Sequence, residues 1–335
     1  FSWKMALTAI FIEGILFILL TVTNVRKLIV DAIPMNLKRA IGAGIGLYIA
    51  FIGLKSAGII VSSEATSVTL GNLGDKTVIL ALAGLVITSV LVITKVRGGM
   101  LLGIIATTLI GIPMGVTHYG GIVSTPPSIS EIFCQFEWGR IFSWDMLVVV
   151  FTFLFIDMFD TIGTVVGVSV KSGMVDEKGN VDGINRVLMA DSVATVAGAM
   201  FGTSTTTTYI ESASGVSEGG RTGLTSFVIA LCFAVALFFS PIFLAIPGAA
   251  TGPVLFIVGV MMMSPVKDID WGDYSESIPA FVTMLLMPLA YSISDGIMLG
   301  MISFVLLNAI SGKFRKISVM MWILALLFIL RYILV

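Results

Sequence analysis

The sequence predicts an all-α polytopic membrane protein. Of its 335 residues, 57% are hydrophobic and only 12% are charged, which is about half the charged fraction of a soluble domain. Apolar runs of roughly 15 to 25 residues recur along the whole chain, and runs of that length cross a bilayer as helices. The mean hydropathy of +1.07 agrees with this class. We therefore interpret the chain as a set of membrane spans, not as a soluble domain with an anchor.

The apolar runs define the predicted spans in chain order. The segments at 188–201 and 204–216 are short for full crossings. The predicted spans are about 4–22, 36–53, 77–94, 98–115, 146–168, 188–201, 204–216, 223–246, 250–265, 277–291, 293–310 and 319–335.

The placement of lysine and arginine supports this map. If the loop after the first span is cytoplasmic, alternation of the spans places most of the cations, including Arg26 and Lys38, on the cytoplasmic side. An excess of cations in cytoplasmic loops is the usual pattern of membrane proteins. We expect a multi-pass protein of the cell membrane, the inner or plasma membrane. The cations left on the other side are Lys4, Lys55, Lys76 and Arg140.

Net charge and cysteine content exclude several classes. The net charge of −1 gives no indication of nucleic-acid binding. The two cysteines, Cys134 in a loop and Cys232 in an apolar run, are too few for a disulfide framework, so we expect both to be free thiols. We predict neither a metal site nor a cofactor.

Two segments in the first half of the chain have similar counterparts in the second half, and these follow in the same order. "DAIPMNLKRAIGAGIGLYIAFIG" (31–53) is similar to "LAIPGAATGPVLFIVGVMMM" (244–263), and "RGGMLLGIIATTLIGI" (97–112) is similar to "SDGIMLGMISFVLLNAI" (294–310). An odd number of predicted crossings separates the corresponding spans, so the two halves face opposite ways. Inverted repeats are typical of secondary transporters, with the substrate site between them; chance similarity of apolar segments is the alternative. The corresponding segments lie about 200 residues apart in the sequence. At that distance the partners of the spans in 146–216 would precede residue 1, so we expect three further N-terminal spans.

Five acids fall in or near spans: Glu13, Asp157, Asp160, Asp191 and Glu211. A charged side chain at the bilayer centre costs roughly 3 kcal/mol or more, so such residues usually face a cavity or a partner. In "FIDMFDTIGT" (155–164), the spacing of Asp157, Asp160 and Thr164 places them on one face of a helix. We expect at least one of the two aspartates to face a substrate cavity.

The other two intramembrane acids carry weaker signals. Asp191 follows Arg186 near an expected helix start, so pairing with a neighbour or with the helix dipole is as well supported as a functional role. Glu13 is alone on its span, and packing against a polar neighbour is as well supported as function. We expect neutralisation of Glu13 to be tolerated.

The stretch "GTSTTTTYIESASG" (202–215) combines a hydroxyl run with a carboxylate. Threonine is β-branched, so residues 203–208 suit an extended backbone better than a helix. Extended backbone at membrane depth is tolerated where it lines a cavity. We predict that a half-helix then begins near Tyr209 to Glu211, with its amides as donors. The alternative is a polar helix whose threonines bond back to the preceding turn.

A carboxylate beside free amides suits a flat heterocycle that carries adjacent N–H donors and C=O acceptors. The nearby acids would repel a simple anion. Phe153, Phe155 and Phe159 offer a stacking face for such a ring, although phenylalanine in a span also serves as core or lipid contact. We include Phe159 with Thr207 and Thr208 among the substrate-binding candidates.

The stretches "FIDMFDTIGT", "GTSTTTTYIESASGVSEGGRTGLTS" and "IPAFVTMLLMPLAYSISDGI" resemble the azaguanine-resistance (AzgA-type) purine permeases of the nucleobase–cation symporter, or nucleobase-ascorbate transporter, family. The resemblance covers essentially the whole chain. It implies a fold similar to that of the uracil permease, with fourteen segments in two inverted repeats, short extended segments in broken helices, and core and gate domains. On that basis we expect a core helix at 1–23, gate helices at 24–115, a second core at 146–246, and gate helices with the C-terminal segment at 247–335.

The resemblance also implies function. It implies proton-coupled uptake of hypoxanthine, guanine or adenine, with Asp160 and Glu211 as the two carboxylates that hold the base and Thr164 facing the same pocket. Asp157, Asp160 and Glu211 are the candidates for proton coupling, because each would sit in poorly solvated surroundings. The sequence leaves open the preferred purine, whether the coupling ion is H⁺ or Na⁺, and whether the chain forms a homodimer.

Three other functions remain as alternatives. A carrier for uracil, xanthine or a small anion would use the same scaffold, but an anion carrier requires a neutral or cationic group in place of Glu211. A channel is disfavoured by inverted repeats with broken helices. An intramembrane aspartyl protease is the remote alternative, because Asp157 and Asp160 lie three residues apart on one helix instead of on two. We therefore predict a transporter and not an enzyme.

Overall fold

The computed structural model describes residues 2–126, 128–141, 143–175, 181, 183–209 and 211–334. Helices dominate these residues, as the sequence predicts, and the helix bounds agree closely with most predicted spans. The helices are α1 (Trp3–Val22), α2 (Val25–Ala32), α3 (Met35–Ser56), α4 (Lys76–Ile93), α5 (Gly99–Met114), α6 (Trp144–Ser172), α7 (Ile184–Met200), α8 (Ser212–Ser217), α9 (Gly223–Ala236), α10 (Ser240–Leu244), α11 (Gly248–Met262), α12 (Tyr274–Leu289), α13 (Ile293–Ile310) and α14 (Val319–Leu334).

Six helical stretches within the described residues are long and apolar enough to cross a membrane. Three shorter apolar helices, Gly99–Met114, Gly223–Ala236 and Val319–Ile333, match further predicted spans. The six stretches are Trp3–Val22, Met35–Ser56, Lys76–Ile93, Val149–Val170, Gly248–Asp268 and Ile293–Ile310.

Two elements are absent from the sequence prediction. The segment after the first span forms α2, and the segment after α3 forms a hairpin of β1 (Ile60–Ser63) and β2 (Ser67–Leu70). The two strands pair antiparallel, with Ile60 opposite Leu70. The strands have only four residues each, and α2, with eight, is shorter than the windows over which helical periodicity is normally read.

The predicted single span at 223–246 is wrong, because the structure divides it into α9 and α10. Helix α9 ends at Ala236, and α10 begins at Ser240 with Pro241 in its first turn. Proline has no N–H to donate and disfavours helical geometry in the residue before it. A proline near the start of a helix is well tolerated, so the chain ends one helix and begins another.

The threonine-rich segment is broken, as predicted. Residues 203–209 are not helical, and α8 begins at Ser212, close to the predicted start between Tyr209 and Glu211. Helix α8 has only six residues, far fewer than the roughly 20 that span a bilayer. The predicted span at 204–216 is therefore a non-helical segment followed by a short helix.

The chain divides into two compact units that interleave along the sequence. One comprises Phe1–Ile45, Ser128–Ser212 and Met262–Val335, and the other Gly46–Pro127 and Ala213–Met261. The two units group residues that contact one another. The predicted ranges 1–23, 24–115, 146–246 and 247–335 instead group helices by repeat and by core or gate domain. The core–gate assignment stays a prediction.

Close helix contacts in the first unit depend on glycine. A Cβ at Gly14 would lie 2.7 Å from Val196 Cγ2, so glycine allows α1 to lie directly against α7. A Cβ at Gly300 in α13 would overlap Thr283 in α12. Lipid tails are as apolar as the helix surfaces, so the hydrophobic effect does not drive helices together in a membrane. Close packing at small residues such as these favours their association instead.

Charged side chains at the ends of α12 and α13 tie these helices together. Asp273 caps the start of α12, accepting from Ser275 N at 3.0 Å. Lys313 and Lys316 each place Nζ 3.0 Å from its carboxylate. Hydrogen bonds from Lys313, then from Ser275 and Lys316, hold the pKa of Asp273 well below its usual range. The loop after α13 is thereby fixed to the start of α12.

In the second unit, α4 and α5 pack through a reciprocal pair of glycine–threonine contacts. A Cβ at Gly84 would lie 2.7 Å from Thr107 Oγ1, and a Cβ at Gly103 would overlap Thr88 Oγ1. Each threonine donates to a carbonyl of its own helix, Thr88 to Gly84 at 2.8 Å and Thr107 to Gly103 at 2.7 Å. The hydroxyls are therefore satisfied without water.

We expect Gly103→Val to destabilise the α4–α5 pair, because the added side chain would collide with Thr88 on the facing helix. Overpacking of this kind costs typically about 1–3 kcal/mol. The measurement is the thermal midpoint of the detergent-solubilised protein by fluorescence-detected size exclusion. Gly223→Val is the matched control, since a Cβ at this helical glycine has nothing within 4 Å. Equal midpoints for the two variants would contradict the proposed contact.

Candidate functional site

Three of the five sequence-predicted acids are buried in the first unit. Glu13 is 0% exposed, and Asp157 and Asp191 are each 7% exposed. They belong to three helices, α1, α6 and α7 respectively. A buried carboxylate needs a cation or hydrogen-bond donors, so the partners of these acids define the site.

Asp191 forms a buried ion pair with Arg26. Arg26 Nη2 lies 3.0 Å from Asp191 Oδ2, and the guanidinium also donates to Ser192 Oγ at 2.9 Å and to Leu188 O at 3.2 Å. Arg26 is 0% exposed, and its guanidinium lies over the Phe17 ring at 4.3 Å. The cation predicted as a cytoplasmic loop residue is therefore a buried residue of α2.

Arg186 is not the partner of Asp191 in this ion pair, although their closeness in sequence favoured that pairing. Arg186 is exposed near the start of α7. Asp191 follows Arg186 by five residues along α7, but α2 supplies the cation that is buried against the carboxylate. The paired role of Asp191 left open by the sequence is thus correct, with a different partner.

The threonine run lies along α7. Thr203 N donates to Gly198 O at 3.0 Å, and Thr195 Oγ1 donates to Thr206 O at 3.0 Å. A Cβ at Gly198 would lie 2.5 Å from Thr206 Oγ1, so only glycine admits the segment at this distance. These contacts hold the non-helical backbone against a helix that also carries Asp191.

Thr161 connects the threonine run to the ion pair. Its hydroxyl donates to Asp191 Oδ1 at 3.2 Å and lies 2.8 Å from Thr207 Oγ1. A threonine hydroxyl has one proton, so Thr207 must be the donor in the second bond. The Thr208 backbone also bonds to the Asp191 carboxylate. Thr161 was not among the sequence-predicted candidates, although it follows Asp160 directly in the motif FIDMFDTIGT.

Glu13 lies at the other side of the same network. Thr205 Oγ1 donates to Glu13 Oε2 at 3.4 Å, and the Asp157 side chain lies close enough to Glu13 to interact with it. The sequence indicated Glu13 only as a lone acid on an apolar span. Its contacts remove the basis for expecting that its neutralisation is tolerated without effect.

Asp160 makes its contacts elsewhere. Its carboxylate accepts from Ser294 N at 3.0 Å, at the start of α13. Asp295, the residue after Ser294, forms an ion pair with Arg331 at 2.9 Å and accepts a hydrogen bond from the Tyr332 hydroxyl at 2.8 Å. Helix starts favour negative charge, and this one also brings Arg331 of α14 to the same region.

The remaining candidates lie in different surroundings. Thr164 is 3% exposed and Phe159 is 0% exposed. The Phe159 ring centroid lies 4.7 Å from that of Phe328, which favours the core role left open by the sequence. Glu211 is exposed at the end of the non-helical segment, just before α8.

The structure thus brings Asp157, Thr207 and Thr208 into one network with Glu13, Asp191 and Thr161. This network has buried carboxyls that can hold a proton and threonine hydroxyls that can bind a polar ligand. Among the described residues, no group of three or more His, Cys, Asp or Glu has the arrangement of a metal site. The arrangement suits binding and proton movement.

Residues 2–328 match the model of the permease family Xan_ur_permease. This chain belongs to that permease family. The permease is therefore a multi-pass transporter of the cell membrane, which confirms the predicted class and localisation.

Curated relatives align with almost the whole permease. It is 48% identical to the putative permease MJ0326 of Methanocaldococcus jannaschii over 99% of this chain and 76% of that one. It is 41% identical to the adenine permease AdeP of Escherichia coli, over 98% and 74% of the two chains. It is 44% identical to the guanine/hypoxanthine permease PbuO of Bacillus subtilis, over 98% and 78%.

Solved structures confirm the fold of the permease. The transmembrane domain of the cyanobacterial bicarbonate transporter BicA superposes with a TM-score of 0.59 at 17% identity, covering 89% of this chain and 76% of that one. The inward-facing murine anion transporter Slc26a9 superposes with a TM-score of 0.55 at 14% identity, covering 92% and 53%. At these identities the likeness concerns the fold alone, and the predicted fold class is confirmed.

Proposed function

We propose that this permease is a secondary active transporter that imports the purine nucleobases hypoxanthine, guanine and adenine by proton symport. The observation that carries the proposal is the bonded chain from Arg26 through Asp191 and Thr161 to Thr207. It occurs in a chain whose relatives include permeases named for adenine and for guanine and hypoxanthine. We accordingly assign the chain no enzymatic reaction.

The hydrogen-bond polarity of this chain suits a purine. Arg26 fixes Asp191 as a charged acceptor, Asp191 accepts a hydrogen bond from the Thr161 hydroxyl, and Thr161 accepts one from the Thr207 hydroxyl. Thr207 therefore offers its remaining lone pairs to a ligand as an acceptor. Every purine base carries a ring N–H that such an acceptor can bind.

We assign the base to a site that includes Asp160, Glu211, Thr164, Thr207 and Thr208, with Phe159 packing behind it. The exposed Glu211 supplies a charged acceptor, and charge-assisted hydrogen bonds are the stronger kind. Asp157, Asp160 and Glu211 remain the proposed proton-coupling groups, all within the proposed core segment 146–246. This preponderance of acids disfavours a small-anion substrate.

The test is uptake of radiolabelled hypoxanthine by cells that lack their own purine carriers and express this permease. We expect uptake that unlabelled adenine and guanine reduce and that an uncoupler abolishes. Competition by uracil or xanthine alone would transfer the assignment to the alternative substrates. Uptake that follows a sodium gradient and resists the uncoupler would refute proton symport.

A further inference from the structure

The buried network contains more negative than positive side chains. Glu13, Asp157 and Asp191 contribute three carboxyls, and Arg26 is the cation that acts on all of them. Arg26 Nη2 donates to the Asp191 carboxylate, and Arg26 Nη1 donates to Ser192 Oγ and Leu188 O. This guanidinium therefore neutralises one acid by direct contact and leaves two without an ion-pair partner among the described residues.

The two remaining acids contact each other. Glu13 on α1 and Asp157 on α6 interact with each other, and these two helices pack together. Glu13 Oε1 and Asp157 Oδ2 are both buried, and neither has a hydrogen-bond partner among the described residues. Ionised carboxylates only accept, so two of them cannot bond to each other. Two adjacent carboxyls resolve this conflict when one is protonated, as in carboxyl dyads that share one proton.

We propose that Glu13 and Asp157 form a single site that shares one proton, and that this is the proton moved with the substrate. The inference rests on the proposed function and assigns Glu13 a role in it. The shared proton supplies the missing donor, so the pair carries one negative charge instead of two. Asp191 and Asp160 are the other acids whose charges act on Asp157, and Arg26 is the cation that acts on it.

A proton is favoured over a metal ion as the occupant. Cations such as Na⁺ and Ca²⁺ take many oxygen ligands, six to eight in the case of Ca²⁺. Among the described residues, Thr205 Oγ1 is the one hydroxyl that bonds to Glu13, at 3.4 Å, and the acids there do not form a metal-binding group. A proton needs only the two carboxyl oxygens.

The pair is connected to the threonine run at both ends. Glu13 bonds directly to Thr205. Asp157 lies one turn before Thr161 on α6, and Thr161 bonds to Thr207. A purine that bonds to the threonines thereby alters the donors around the acid pair, and the loss or gain of the shared proton alters the threonines. This connection couples purine binding to the gain or loss of the shared proton.

Glu13→Gln tests the proposal, because the amide supplies a permanent donor and cannot release a proton. In purified protein reconstituted in liposomes, we expect exchange of internal for external labelled hypoxanthine to stay within about threefold of wild type. We expect accumulation driven by an inward proton gradient to fall at least tenfold. Hypoxanthine-driven proton entry, followed with an internal pH dye, should fall to background. Glu64→Gln is the matched control, because Glu64 is exposed in the hairpin.

Asp157→Asn and the double variant extend the test. If the two acids act as one site, each single substitution should abolish gradient-driven accumulation and the double should add little, since residues of one unit are not additive. Normal proton-driven accumulation by Glu13→Gln would overturn the shared-proton site and leave purine transport intact. Absence of hypoxanthine uptake by the wild type would instead overturn the proposed function. Wild-type accumulation that follows Na⁺ instead of pH would overturn the choice of proton.

If the variants are unstable, the shared proton can be tested on the wild-type protein. The infrared spectrum should contain the C=O band of a buried protonated carboxyl at neutral pH, and addition of hypoxanthine should change it. Absence of such a band would contradict the shared proton. A band that persists unchanged in Asp157→Asn would assign the proton to a different group.

Discussion

Arg26→Met should remove most of the folded permease from the membrane. The guanidinium is fully buried and bonds to Asp191, Ser192 and Leu188. Methionine fills similar volume but leaves the Asp191 carboxylate without its cation in a network that already holds two other acids. Breaking a buried pair by removing one partner costs about 3–5 kcal/mol, a large part of the roughly 5–15 kcal/mol that stabilises most proteins. The measurement is the yield and thermal midpoint of solubilised protein.

Two further variants separate charge from packing. The double variant Arg26→Met, Asp191→Asn should regain most of the lost yield, because residue 191 then carries no charge that requires the guanidinium. Arg186→Met is the matched control, since Arg186 is exposed on the helix that carries Asp191. A loss of yield from Arg186→Met equal to that from Arg26→Met, or no recovery in the double variant, would show that the ion pair is not the cause.

Glu211→Gln should weaken purine binding roughly ten- to a hundredfold. The amide replaces one charged acceptor by a donor at the edge where the base presents N–H groups. A hydrogen bond to a charged group contributes about 1.5–3 kcal/mol, which corresponds to that range. The measurement is equilibrium binding of labelled hypoxanthine to purified protein, at matched amounts of folded material.

Asp160→Asn is the companion variant. It should also impair uptake, because Asp160 is the second proposed acceptor, although its carboxylate already accepts from Ser294 N. Affinity for hypoxanthine close to wild type in Glu211→Gln would remove that residue from the site. A larger loss of binding from Glu13→Gln than from either variant would move the site toward the α1 side of the network.

The spans and the broken segment were predictable because their causes are local. Hydropathy follows from consecutive residues, so the bounds of α3 and α13 agree closely with the prediction. The β-branched run at 203–208 is disfavoured in a helix whatever surrounds it. The break at Pro241 was also marked in the sequence, but the continuous hydropathy of 223–246 concealed it.

The acid network was not predictable because its partners are distant in sequence. Arg26 and Asp191 are 165 positions apart, and Thr205 and Glu13 are 192 apart. A single sequence carries no signal for such pairings, whereas it suggests Arg186 for Asp191 through proximity alone. Glu13 was visible as an isolated acid on a span, and only the fold shows that Asp157 lies beside it.

The distance between Arg26 and Asp191 along the chain has a consequence for biosynthesis. A ribosome adds roughly 5–20 residues per second, so about 8–33 s separate the synthesis of the cation from that of its partner. During this time the guanidinium cannot enter the hydrocarbon at low cost. The short helix α2, with Arg26 and Lys27 beside apolar Leu28 and Ile29, can rest at the lipid headgroups. We therefore expect α2 to dock only after α7 has been synthesised.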